Sequence, residues 1–164
     1  MSESGMVTAM TSVLFVCSGN IFRSLVAEYA LKAQKAPDSR LIVGSAGIEA
    51  LPQEIHPVVR LRLLEKGADP LGHVQRRLTR DLLEAATLTV AMGANHREFI
   101  RREFGREVPL FNQVCYQTEA PILDVHEAIP NWQENLEQSR DYLYSVIDHI
   151  WAGIPFLIER LSRP

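Results

Sequence analysis

Short β-branched and aromatic runs alternate along this chain with stretches whose apolar residues recur at helical spacing. Residues 11–16 (TSVLFV) have the length and composition of a fully buried strand and stop at Cys-Ser-Gly-Asn. From Ser24 the period changes. Leu25, Val26, Tyr29, Ala30 and Ala33 fall on one helical face, which predicts a helix over 24–36 with Ser24 as its N-cap and Pro37 beyond its end. LIVGSAG (41–47) repeats the strand signature, and PVVRLRLLEK (57–66) reads as a helix with Pro57 in its first turn and Gly67 as its stop. LTVAMGA (88–94) gives a third strand followed by the helical HREFIRREF, and VPLFNQV (108–114) a fourth strand weakened by Pro109. From about Gln133 onward, Leu136, Leu143, Val146, Ile147, Ile150, Ile154, Leu157 and Leu161 form one helical stripe, with Gly153 and Pro155 expected to kink or interrupt it. Strictly alternating strand and helix predicts an α/β fold, a four-stranded parallel sheet with helices on both faces, in one domain over 11–164 behind a loose leader at 1–10. Ligands in such folds sit at the carboxyl ends of the strands, and Cys17 stands at the end of the first.

Composition narrows the possible partners. A chain of 164 residues with 46% hydrophobic and 23% charged residues can bury a full core and leaves little room for disorder. Its formal net charge of -3 supplies no global basic field of the kind nucleic-acid binders use, so an anion site has to be local. The first twelve residues carry no Lys or Arg, and no segment reaches the roughly 18 apolar residues of a membrane span. Cys17 and Cys115 sit in unrelated contexts without Cys/His clustering, which speaks for a reducing, cytoplasmic setting and against a zinc site, and no cofactor is expected.

Six residues separate the predicted strand end at Cys17 from the helix start at Ser24, so the chain turns sharply, and Gly19 and Asn20 both tolerate positive φ. Successive backbone amides in such a turn, at a helix N-terminus, make a concavity for an anion. Arg23 adds a planar fork of donors suited to two phosphoryl oxygens. The same positive surroundings favour the thiolate of Cys17, and Ser24 can donate its hydroxyl to it. A thiolate beneath a bound phosphate is a nucleophile aimed at phosphorus. No metal is needed where an arginine and loop amides hold the equatorial oxygens, and one carboxyl group can serve as acid and then base.

These residues resemble the low-molecular-weight protein tyrosine phosphatases, whose loop is C-x5-R-S: here Cys17, then Ser18-Gly19-Asn20-Ile21-Phe22, then Arg23-Ser24. Ala27-Glu28 in the following helix, Ser45-Ala46-Gly47 after the second strand, the stretch 67–79 with His73, and Met92 with His96 are similar to further family landmarks. The resemblance implies a flavodoxin-like three-layer sandwich. It also implies Cys17 as nucleophile, Arg23 as the phosphate and transition-state ligand, Ser24 as the group that tunes the thiolate, residues 18–22 as the phosphate-binding loop, and Asn20 holding that loop with help from Ser45.

Two features depart from the family pattern. The family's acid is an aspartate in an Asp-Pro pair, whereas PILDVHEAIPNW (121–132) has none. Asp124 keeps the residue type, and Glu127 keeps the better register with the final helix. The two side chains differ little in intrinsic acidity, and both remain candidates. Phe22 stands where many relatives carry a second cysteine, which removes that route to a protective disulfide. Ile21 is the residue of phosphotyrosine-type members where phosphoarginine-type members carry threonine, and Trp132 is a candidate for the aromatic that flanks a phosphotyrosine ring. The expected activity is therefore hydrolysis of phosphotyrosine in proteins by a monomer, inhibited by phosphate-type anions. The competing readings are phosphoarginine hydrolysis, arsenate reduction, and an inactive phosphate- or phosphoprotein-binding module. His126 reads as an exposed loop residue, Cys115 as a packed one, and RRLTR (76–80) as a solvated helical surface.

Overall fold

The computed structural model describes residues 10–163; the leader expected at 1–10 lies outside them apart from Met10. Three parallel strands, β1 (Ser12–Cys17), β2 (Ile42–Gly47) and β3 (Leu88–Ala91), lie in the order β2-β1-β3. Side chains of β1 alternate between two apolar clusters. Val13, Phe15 and Cys17 enter one with α1 (Arg23–Gln34), α2 (Pro57–Glu65), α5 (Phe111–Tyr116) and α7 (Leu136–Leu161). Leu14 and Val16 enter the other with α3 (Arg80–Ala85) and α4 (Ala94–Phe104). Helices cover both faces, which is why β1 is apolar at every position from Val13 to Cys17 rather than at every second one. This is the expected α/β sandwich.

The fourth strand differs from its expectation. Residues 108–110 approach β3 through the parallel bridge between Ala91 and Leu110, and Ala91 N–H donates to Pro109 O at 2.9 Å. Pro109 has no N–H to extend a ladder, and from Phe111 the chain turns into α5 instead. Phe111, Val114 and Cys115 then face the core at helical spacing, a period that a seven-residue apolar run does not distinguish from a strand.

The final helix is also more continuous than its sequence suggests, with Pro155 inside α7. A proline there cannot donate to the carbonyl four residues earlier, which belongs to Trp151. Gln34 Nε2, at the end of α1, donates to that carbonyl at 3.0 Å and replaces the missing bond. Two residues before Pro155, Gly153 lets α7 approach α5 closely: a Cβ there would lie 3.0 Å from the Tyr116 ring and 3.1 Å from Phe111. No helix among the described residues is long and apolar enough to cross a membrane.

Candidate active site

The loop after β1 returns to the chain as α1, and Phe22 rather than Ser24 occupies the N-cap position. Ser24 instead lies in the first helical turn, fully buried, with its hydroxyl 2.9 Å from Cys17 Sγ. Asn20 holds this arrangement. It is buried in the left-handed region at φ 56°, and its Nδ2 donates both to Ser24 Oγ (3.0 Å) and to Ser45 Oγ (2.7 Å). Because Ser24 Oγ accepts from Asn20, its own proton is free to be donated to the sulfur. Asn20 Oδ1 accepts from Arg76 N–H at 3.0 Å, and Asn20 O accepts from His73 Nε2 at 2.7 Å. Ser45 passes its proton on to Glu28, which is paired with Lys32.

Close approach of β2 supports the loop from beneath. Gly47 is the residue that permits it, since a Cβ there would fall 2.4 Å from Ser18 O and 2.8 Å from Asn20 N. The loop carbonyls of Cys17, Ser18 and Phe22 accept from the amides of Ile48, Glu49 and Val26. The amides of residues 18–22 donate to no backbone carbonyl among the described residues, which leaves them available to an anion.

Arg23 is 2% exposed. Its Nη1 donates to Ile122 O at 2.8 Å, and Nη2 makes a long contact of 3.5 Å with Ser18 Oγ. The buried Nε has no hydrogen-bond partner among the described residues, so part of the donor fork is left for a ligand.

Both candidate acids stand beside this guanidinium. Asp124 Oδ2 lies 3.5 Å from Arg23 Nη2 and Glu127 Oε1 3.7 Å from Nη1. Asp124 caps the short helix α6 (Val125–Ala128) by accepting from Val125 N–H, and Glu127 Oε1 accepts from Asp124 N–H at 2.9 Å. This reciprocal box fixes the two carboxyl groups relative to each other. Tyr142 Oη, on α7, donates to Leu123 O and pins the same segment. An open groove of about 860 Å³ runs alongside, with Ile21, Phe22, Ile55, Val125 and Trp132 in its walls. Among the described residues no group of three His, Cys, Asp or Glu side chains is arranged to hold a metal ion.

The model of the family described as low molecular weight phosphotyrosine protein phosphatase matches residues 12–163. The chain belongs to this family. It is 38% identical over 96 residues to a protein-arginine-phosphatase of Bacillus subtilis, and 35% identical over 92 residues to the low molecular weight protein-tyrosine-phosphatase Ptp of Acinetobacter johnsonii. Each of these matches spans 57% or 56% of this chain and 63% of the relative. Among solved structures, a YwlE mutant from Bacillus subtilis superposes with a TM-score of 0.79 at 28% identity, covering 93% of this chain and 99% of that one. The Erwinia amylovora tyrosine phosphatase AmsI gives 0.76 at 25% identity, covering 96% and 97%.

Within this family member, the loop residues, Ser45 and both carboxylates predicted from sequence come together in one place. His126 is exposed as expected, with Nδ1 3.5 Å from Asp124 Oδ2. RRLTR is solvated as expected at Arg76, Arg77, Thr79 and Arg80, but it is not helical before Arg80. Its first residue is docked on the loop, with Arg76 N–H on Asn20 and Arg76 Nε donating to Ser45 O at 2.9 Å, while Leu78 is buried. His96 is the other site residue whose place the pattern does not reveal: it is fully buried with Nε2 2.8 Å from Ser18 Oγ.

Proposed function

We propose that this chain hydrolyses phosphomonoesters through a phosphocysteine formed on Cys17, with phosphotyrosine in proteins as the substrate. The observation that carries the reading is a cysteine sulfur held by a serine hydroxyl at 2.9 Å, in a loop of free amides that closes on a buried arginine with an unpartnered Nε. Cys17 Sγ attacks phosphorus in line, forming the S–P bond as the bond to the leaving oxygen breaks. Arg23 and the amides of residues 18–22 hold the equatorial oxygens where negative charge gathers, so the positive charge a metal would supply is already present. A carboxyl group protonates the leaving oxygen and then takes a proton from the water that attacks the phosphocysteine. Each carboxylate has one oxygen in the capping box, and Asp124 is assigned this role because it lines the groove beside the loop, whereas Glu127 does not and holds the Asp124 amide.

An aryl phosphate fits the groove, whose walls at Ile21, Phe22, Ile55 and Trp132 are apolar. A phosphoarginine substrate is the second reading. The 38% identical relative is a protein-arginine-phosphatase, and Glu54 and Glu137 in the same groove offer carboxylates to a guanidinium. Arsenate reduction is disfavoured because the thiol relay it requires would fall to Cys115, a buried residue whose burial pushes its thiol up to about 12.

The test is hydrolysis of p-nitrophenyl phosphate in EDTA from acid to neutral pH by wild type, Cys17→Ser, Asp124→Asn and Glu127→Gln, followed by matched phosphotyrosine and phosphoarginine peptides. Abolition by Cys17→Ser, with the larger carboxamide effect at Asp124, is expected. Phosphate binding without turnover in wild type would make the chain a binding module instead.

A further inference from the structure

His96 sits in the first turn of α4, far in sequence from the loop it touches. Its Nδ1 accepts from Gly93 N–H at 2.9 Å, so the ring proton is on Nε2. That nitrogen is 2.8 Å from Ser18 Oγ, which makes the serine oxygen the acceptor. Arg23 Nη2 approaches the same oxygen at 3.5 Å from another side. A hydroxyl oxygen engaged by two donors has one proton left, and that proton goes to neither of them.

We propose that His96 is a positioning residue for the phosphate site: by donating to Ser18 it fixes the hydroxyl so that Ser18 gives its proton to a phosphoryl oxygen bound at Arg23. Ser18 then adds a side-chain donor to the ring of loop amides. This rests on the phosphomonoesterase reading only as far as phosphate occupies the loop. Burial and the neighbouring Arg23 guanidinium push His96 down to about 3, so the ring stays neutral and keeps its donor at any pH where the enzyme would work. A charged ring would also repel the arginine that holds the substrate.

The experiment separates this role from the capping of α4. His96→Asn places an amide oxygen where Nδ1 accepts from Gly93 but cannot reach Ser18, and Ser18→Ala removes the hydroxyl while leaving the histidine in place. Each is expected to weaken inorganic phosphate binding, and kcat/KM for p-nitrophenyl phosphate, on the order of tenfold, the loss of one positioned hydrogen bond. The double variant should be no worse than either single one, because both remove the same interaction. Ser18→Thr, which keeps the hydroxyl, should restore most of the loss. Nitrogen NMR of wild type should report the neutral ring with its proton on Nε2. A folded His96→Asn with wild-type phosphate affinity, additive losses in the double variant, or a proton on Nδ1 would each overturn the proposal. Should His96→Asn not fold, Ser18→Ala, Ser18→Thr and the NMR tautomer decide. Weakened phosphate binding in the variants of a wild type that shows no turnover would uphold this inference while refuting the phosphatase reading.

Discussion

Replacing Asn20 perturbs the backbone and the hydrogen-bond network of the loop at once, and the two effects can be separated. Asn20 is buried at φ 56°, donates to Ser24 and Ser45, and accepts from the Arg76 amide. Asn20→Ala removes three bonds worth about 1 kcal/mol each and leaves their partners buried or half-buried without a substitute. Its β-carbon stays in the left-handed region, where the wild-type asparagine already has one, but without the polar side chain that compensates there. Asn20→Gly loses the same bonds but not the conformation, so it should be about 1 kcal/mol more stable than Asn20→Ala. At about 2–4 °C per kcal/mol for a chain of this size, the alanine variant melts on the order of 10 °C below wild type and the glycine variant a few degrees higher. Asn20→Asp keeps the acceptor for Arg76, loses both donors and sets a negative charge near Cys17 Sγ. Its activity should therefore fall further than its stability. Urea or thermal unfolding of the three variants, together with p-nitrophenyl phosphate turnover, measures all of this. A glycine variant no more stable than the alanine one, or an alanine variant as stable as wild type, would refute the reasoning.

Arg23→Lys should lower kcat/KM by at least a hundredfold and raise the inhibition constant of orthovanadate, since a lysine cannot span two phosphoryl oxygens and keep the bond to Ile122 O. Stability should rise with pH through the range in which His96 titrates. Its imidazole falls from an ordinary 6.5 to about 3 on folding, so the unfolded chain binds the extra proton. The contribution is complete above about 6.5 and is lost as pH drops towards 3; urea unfolding of wild type and His96→Asn should show a steeper acid decline in wild type. Gln34→Ala should lower the melting temperature by a few degrees by abandoning the Trp151 carbonyl, and the effect should shrink in a Pro155→Ala background where α7 supplies its own donor.

The loop chemistry was legible in the sequence because it is local: Cys17, Asn20, Arg23 and Ser24 are separated by single turns of chain, and a strand end leading to a helix start fixes what they can meet. The sandwich was legible for a similar reason, since β1 is apolar on both faces. What stayed hidden depends on long-range contacts. Arg76 reaches Asn20 across 56 residues and His96 reaches Ser18 across 78, and no periodicity encodes either pairing. Phe111–Tyr116 misled because a short apolar run serves a buried helix as well as a strand. Pro155 misled because the donor that repairs α7 comes from another helix. The acid loop, without its Asp-Pro pair, left Asp124 and Glu127 open, and the structure adds the capping box that ties them together.

The central claim is that Cys17 carries the phosphoryl group during turnover. Rapid mixing with p-nitrophenyl phosphate, an acid quench and peptide mass spectrometry test it directly. The account predicts a burst of nitrophenol equal to the enzyme concentration, phosphate bound to the Cys17 sulfur in the quenched protein, and loss of both in Cys17→Ala. Turnover that persists in Cys17→Ala, or a burst with phosphate on any other residue, would contradict it.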